Sequence, residues 1–301
     1  MKKEKIFLKW LGGKRKELPI INKVIDKLDI NNYYEPFLGG GSSLLNILDK
    51  KNINKAYLND NFKSLIDAYK FSKDKNLDYL KKLNEFQIIF DNSNIDFYNL
   101  NDEYEKLKLN SKRKVDTTLK KIVIYTYIRN IYNTTKDEII KAASLIFIRK
   151  YAFSGMFRYN KSGYFNVPYG GTGYDKNSLI NRNLYFKNYN FDKCEFFNLD
   201  YKEFFNQQYF IKNDLIFIDP PYDESFDNYN NSTFDKQEQE NLYENLMVLK
   251  NKCNILAIMK GTPFILDLYK DFDIISYDFQ YNVNFKNRNK QNFQHILLKN
   301  F

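Results

Sequence analysis

Residues 31–51 read NNYYEPFLGGGSSLLNILDKK. The aromatic and apolar run up to Phe37 fits a strand, three consecutive glycines break it, and LLNILDKK after the two serines has the spacing of an amphipathic helix. The same unit recurs at once, with KAYLND followed by NFKSLIDAYK. After a long interruption the alternation resumes: strand EFFNLD, helix YKEFFN, strand DLIFID, helix QENLYENLMVLKN, strand CNILAIM, helix PFILDLYKD, then strands IISYDFQY and HILLKN. Alternating strands and helices predict an α/β fold, one open sheet with helices on both faces, built from residues 1–70 and 185–301. Residues 71–184 break the alternation. They carry charged helical pattern (LDYLKKLNEF, LNDEYEKLKL) and then the loop-like SGMFRYNKSGYFNVPYGGTG, and so read as an inserted, mainly helical domain.

Composition bounds the function. The 301-residue chain is 43% hydrophobic and 28% charged, which describes a globular protein with a full core. No apolar run approaches the roughly 18 residues a membrane span needs, and the basic start MKKEKIFLKWLGGKRKEL holds too short an apolar stretch for a signal peptide. Cys194 and Cys253 sit in strand-like apolar runs, which predicts buried free thiols in a reducing cytoplasm and no zinc centre. His295, the single histidine, lies in a strand pattern and reads as a core or edge residue. A net charge of +10 favours a polyanionic partner, although A/T-rich coding alone raises lysine, so the charge counts only together with a site.

Two turns offer such a site. Gly39, Gly40 and Gly41 give a turn without Cβ atoms ahead of a helix, where a ligand can approach the backbone, and Asp60 ends the next strand, the place at which such sheets put an acid for ribose hydroxyls. Neither GxGxxG nor GK[ST] is present, so the implied ligand is a nucleoside without a long phosphate chain. Asp219, Pro220, Pro221 and Tyr222 follow the apolar strand LIFI. The prolines remove two donors and fix the chain, leaving the Asp219 carboxylate and the Pro220 carbonyl as two acceptors for one exocyclic amine, with the Tyr222 ring to stack on its base. Trp10, the only tryptophan, stands in a basic loop as a lid for an adenosine or methionine moiety.

The blocks FLKWLGGKR, PFLGGG, RYNKSGYFNVPYG and DPPY, in this order, resemble the Dam-type DNA adenine-N6 methyltransferases, the α group of amino-methyltransferases. The resemblance runs from Phe7 to about Tyr222. It implies a Rossmann-like methyltransferase sheet of the doubly wound kind, S-adenosylmethionine as cofactor, double-stranded DNA as substrate and no metal requirement. Residue by residue it implies cofactor contacts by Trp10, Lys14, Phe37, Gly39, Gly41, Asp60 and Asp219, and catalysis by Asp219, Pro220 and Tyr222. It makes 71–184 the target-recognition domain, with Phe153 wedged into the duplex, Lys9, Met156, Arg158 and Pro168 facing bases, and Ser154 at a phosphate-contact position where the family usually has asparagine.

The expected activity is methylation of a flipped adenine within 5′-GATC. N4-cytosine or RNA methylation, and a non-catalytic nucleic-acid-binding module, remain as alternatives. A monomer is expected, with a cognate restriction endonuclease as a candidate partner. The lysines and arginines of 9–16, 149–161 and 286–290 are expected to form one basic face.

Overall fold

The computed structural model describes residues 8, 10, 12–110, 116–171, 179, 191–221, 234–277 and 295–301. They fall into two compact units. A sheet unit holds the described residues of 17–38, 50–61 and 193–301, and a helical unit those of 1–16, 39–49 and 62–192.

The sheet unit is built on seven strands: β1 (Asn32–Glu35), β2 (Lys55–Asn59), β3 (Cys194–Phe197), β4 (Leu215–Ile218), β5 (Asn254–Lys260), β6 (Asp273–Tyr277) and β7 (His295–Lys299). Their order is β3-β2-β1-β4-β5-β7-β6. The strands from β3 to β5 pair in parallel, and β7 runs antiparallel to both β5 and β6. From β1 the chain winds outward to β2 and β3 on one side, while β4 and β5 lie on the other, so the order reverses between β1 and β4. That reversal is where open α/β sheets leave a crevice at the carboxyl ends of their strands.

Parallel strands are covered on both faces, so they are apolar throughout rather than alternating. All four residues of β4 are buried, at 2% exposure or less. On one face Tyr34, Ile216, Ile218, Ile255, Ala257 and Ile296 form a single cluster with Phe204 and Phe205 of α8 (Tyr201–Gln207) and with Leu242 and Leu246 of α9 (Lys236–Leu249). The alternate residues Tyr33, Phe217, Leu256 and Leu297, which point the other way by the period of two, are buried as well. Helix α1 (Leu18–Ile25) and helix α10 (Pro263–Leu268) complete the unit. Asp200, Asp235 and Thr262 cap α8, α9 and α10 by accepting from Lys202 N, Glu238 N and Ile265 N. Cys194 and Cys253 are free and buried, and His295 is a core residue at the start of β7.

The helical unit contains α2 (Ser42–Lys50, shared at its end with the sheet unit), α3 (Lys63–Lys73), α4 (Leu77–Asn92), α5 (Asn101–Asn110), α6 (Asp116–Thr134) and α7 (Glu138–Tyr151). Helix α7 is its centre: every residue from Ala142 to Tyr151 is buried, with α3, α4 and α6 packed around it. By packing, α3 groups with this helical unit.

The loop-like stretch after α7 is a small hairpin. Bridges Ala152↔Tyr169 and Tyr159↔Phe165 pair its arms, and Asn160 closes the tip by accepting from Ser162 N and Tyr164 N. Helix α6 holds one arm: Asn133 exchanges two hydrogen bonds with Phe165, and Tyr125 and Arg129 both donate to the Val167 carbonyl. The expectation of one basic face needs correction here. Lys14, Arg149 and Lys150 are 2%, 1% and 7% exposed and serve the interior, because each cation finds acceptors or ring faces inside the unit.

Candidate active site

Three carboxylates stand at the carboxyl ends of three adjacent parallel strands of the sheet unit. Glu35 ends β1, Asp60 follows β2 and Asp219 follows β4. Glu35 is buried and accepts from the hydroxyl of buried Tyr33 at 2.9 Å. Burial, and then the charges of Glu35 and Asp219, hold the Tyr33 phenol well above its ordinary pKa, so it is a neutral donor at every physiological pH.

The loops around these acids are pinned by Asn59, the buried last residue of β2. Its amide donates to the carbonyls of Pro36 (3.1 Å) and Leu199 (3.0 Å), and its oxygen accepts from Leu199 N (3.0 Å). Asp60 is fixed through its backbone, donating to the Phe197 carbonyl at 3.3 Å and accepting from the Asn198 amide at 2.9 Å. Phe37 packs its ring against Tyr201 and Phe234 at centroid distances of 5.3 and 5.7 Å. After Asp219 come buried Pro220 and exposed Pro221. Tyr222 lies outside the described residues.

The glycine turn belongs to the helical unit. Gly39 and Gly41 have φ of +48° and +66°, the left-handed region that L side chains avoid. Close packing also excludes side chains here. A Cβ on Gly39 would lie 2.9 Å from Trp10 Cδ1, one on Gly40 would lie 2.7 Å from Trp10 Cβ, and one on Gly41 would lie 2.5 Å from the Tyr69 hydroxyl. The Tyr69 hydroxyl in turn donates to the Gly39 carbonyl at 3.1 Å. Lys14 joins the same turn, its backbone N donating to Ser42 Oγ at 3.1 Å and its ammonium to the Gly12 carbonyl at 2.7 Å. Trp10 thus rests on the glycine turn, with Phe62 and Phe157 tilted against it at 6.1 and 5.4 Å.

Of the residues expected at DNA, Phe153 is 48% exposed, an uncommon position for a phenylalanine. Ser154 and Pro168 are exposed, Met156 and Arg158 half-buried. Ser154 has φ of +51° in the turn that presents Phe153. Arg158 Nε donates to Asn166 Oδ1 at 2.8 Å, which fixes the plane of its guanidinium. Lys9 and the 286–290 loop lie outside the described residues.

The structure thus groups Phe37, Asp60 and Asp219 at one edge of the sheet, Trp10, Lys14, Gly39 and Gly41 at one turn, and Phe153, Ser154, Met156, Arg158 and Pro168 on one hairpin. Sequence reasoning passed over Tyr33, Glu35, Asn59 and Tyr69, and expected Arg149 only on a basic face. Glu35 carried a signal, an acid inside an apolar strand. No helix among the described residues is long and apolar enough to cross a membrane, and among them no three His, Cys, Asp or Glu residues cluster as metal ligands.

The family model for D12 class N6 adenine-specific DNA methyltransferase matches residues 10–283. Type II methyltransferase M.MjaIII of Methanocaldococcus jannaschii is 28% identical, over 99% of both chains. Type II methyltransferase M.CviBI of Paramecium bursaria Chlorella virus NC1A is 26% identical, over 99% of this chain and all of its own. A DNA adenine methylase of Vibrio cholerae is 26% identical, over 74% of this chain and 66% of its own. A match spanning both blocks of sheet sequence and the insertion between them covers more than a shared nucleotide-binding turn, and the chain belongs to the D12 class of N6 adenine-specific DNA methyltransferases.

Proposed function

We propose that this methyltransferase uses S-adenosylmethionine to methylate N6 of an adenine flipped out of duplex DNA, within 5′-GATC. The observation that carries the reading is Asp219, a carboxylate held at the end of buried β4 beside the strand-order reversal and followed by two prolines. The residues fit the cofactor: Asp60 at the end of β2 suits ribose hydroxyls, and the acids at this edge suit a ligand that carries positive charge. Phe37, Asp60 and Asp219 would hold it, with Trp10, Lys14, Gly39 and Gly41 serving as the family pattern implies. When bound, the cofactor supplies an electrophilic methyl group on a sulfonium.

The protein's part is to make the adenine amine a nucleophile. The N6 lone pair of adenine is drawn into the ring. The Asp219 carboxylate and the Pro220 carbonyl accept its two N–H bonds and pull the nitrogen toward tetrahedral geometry, and Tyr222 stacks on the base. Flipping costs a few kcal/mol, offset by that stacking and by Phe153 filling the gap. On the hairpin, the guanidinium of Arg158 suits guanine O6 and N7, and Met156 and Pro168 suit the thymine methyl. Lys9 reads a second guanine and Ser154 meets a phosphate. Residues 71–184 act as the target-recognition domain, and the enzyme acts as a cytoplasmic monomer. Relatives named type II methyltransferases support a companion restriction endonuclease.

The test is transfer of labelled methyl from S-adenosylmethionine to a GATC duplex and to a duplex with that site scrambled. Incorporation into the GATC duplex alone is expected. Asp219→Ala should lose transfer by several orders of magnitude while keeping much of the cofactor affinity, because Phe37 and Asp60 still hold the ligand and the carboxylate acts mainly on the amine in the transition state. Turnover by that variant near the wild-type rate would remove Asp219 from the mechanism.

A further inference from the structure

Arg149 is the largest fully buried side chain among the described residues, at 1% exposure on the central helix α7. Its guanidinium lies 5.2 Å from the centre of the Trp10 ring and 4.8 Å from that of Phe157, and Nη1 donates to the Met156 carbonyl at 2.9 Å. Each of these contacts leads to a different part of the unit. Trp10 rests on Gly39 and Gly40 of the glycine turn. Met156 follows the left-handed pair Ser154 and Gly155, whose turn presents Phe153, and Phe157 precedes Arg158.

A buried cation is a poor way to gain stability, since an apolar residue of similar size commonly does as well. Burial pulls the Arg149 pKa down to about 10, which still leaves the group charged at neutral pH. A guanidinium can, however, do what an apolar group and a lysine cannot: stack its plane on aromatic rings while its edge donates to a carbonyl. Moving the Met156 carbonyl therefore moves the guanidinium that sits over the Trp10 ring, and the reverse.

We propose that Arg149 is a positioning residue that ties the Trp10–glycine turn to the recognition hairpin, so that cofactor binding and DNA engagement each strengthen the other. The inference rests on the reading above in which Trp10 serves the cofactor and the hairpin serves DNA. Linkage makes the coupling reciprocal: the factor by which cofactor tightens DNA must equal the factor by which DNA tightens cofactor.

The experiment measures affinity of the full chain for a GATC duplex by fluorescence anisotropy, with and without saturating S-adenosylhomocysteine, in wild type and Arg149→Lys. Wild type should bind DNA about 5-fold or more tightly with the cofactor product present, and Arg149→Lys should bring that ratio to near one. A merely structural role would lower thermal stability and both affinities but leave the ratio unchanged, and an unchanged ratio overturns the proposal. Trp10, the only tryptophan, gives a second reading. Its emission, excited where tyrosine does not absorb, should shift on binding DNA alone in wild type, and the shift should vanish in Arg149→Lys. A shift that persists in the folded variant also overturns the proposal. Should Arg149→Lys lose its circular dichroism, Phe157→Leu, which removes one of the rings on the guanidinium, takes its place with a reduced ratio expected and an unchanged one contradictory. Wild type that binds neither ligand would sink the functional reading and the inference together, whereas binding of both without coupling sinks the inference alone.

Discussion

Asp60 is held by its backbone between Phe197 and Asn198. Asp60→Ala should weaken S-adenosylmethionine binding by about 1.5–3 kcal/mol, the range for hydrogen bonds to a charged group. Titration calorimetry showing unchanged affinity would contradict its role. Gly41→Ala is the opposite kind of change. Its Cβ would meet the Tyr69 hydroxyl at 2.5 Å in a backbone conformation with positive φ, so a loss of about 1–3 kcal/mol of stability is expected from denaturant midpoints. The sequence made the glycines legible as a turn because three of them in a row have few other uses. It did not disclose what presses on them: Trp10 and Tyr69 are distant in sequence, and only the folded helical unit brings their rings to the missing Cβ positions. Asp219 was legible for a related reason. An acid and two prolines after LIFI cannot prolong the strand, so the chain has to turn where the sheet ends.

Elements were read unevenly. Strands such as Leu215–Ile218 and helices such as Lys236–Leu249 show their period or their unbroken apolar character directly. Helix α6 does not. Its sequence DTTLKKIVIYTYIRNIYNT is rich in β-branched residues and tyrosine, poor helix formers by propensity, and burial of Leu119, Val123, Ile128 and Tyr132 along one face overrides that preference. Helix α7 is buried nearly all round, so it has no polar stripe to betray its period. The hairpin after α7 was read as loop because its pairing is short and is held by α6 side chains. Its weak point is Ser154 at φ +51°, which costs part of about 1–2 kcal/mol that asparagine or glycine avoids. Ser154→Asn should raise the melting temperature, and a fall would show that the serine hydroxyl makes a compensating contact. In the sheet unit, α9 is tied to α8 through Glu238, which accepts from Lys202 Nζ at 2.8 Å and from the Tyr201 hydroxyl at 3.0 Å. The Lys202 hydrogen bond, helped by Tyr201, lowers the Glu238 pKa, so its stabilisation is full above the ordinary carboxylate range and is lost as pH falls through the lowered value. Glu238→Gln should cost about 0.5 kcal/mol at neutral pH, because the pair is partly exposed, and nothing once the wild-type carboxylate is protonated. A cost that persists in acid would assign the effect to packing.

At the scale of the whole chain, a net charge of +10 predicts DNA binding that weakens steeply with salt, by about 0.9 decades per decade of salt for each phosphate contact. Lys14, Arg149 and Lys150 are buried, so their neutralisation should not account for that slope, whereas exposed Arg15, Lys16 and Lys161 can contribute. An anisotropy titration that barely changes between low and moderate salt would separate the charge from DNA binding altogether. Sheet order, the acids at the carboxyl edge and the family match converge on one claim, that this chain methylates adenine N6 in DNA. The most direct test is to treat unmethylated genomic DNA with the purified protein and S-adenosylmethionine and to map every modified base by methylation-sensitive sequencing. The account predicts N6-methyladenine concentrated at GATC, and none with Asp219→Ala. N6-methyladenine at another motif would overturn the assignment of the hairpin residues, and N4-methylcytosine or no modified base would contradict the claim itself.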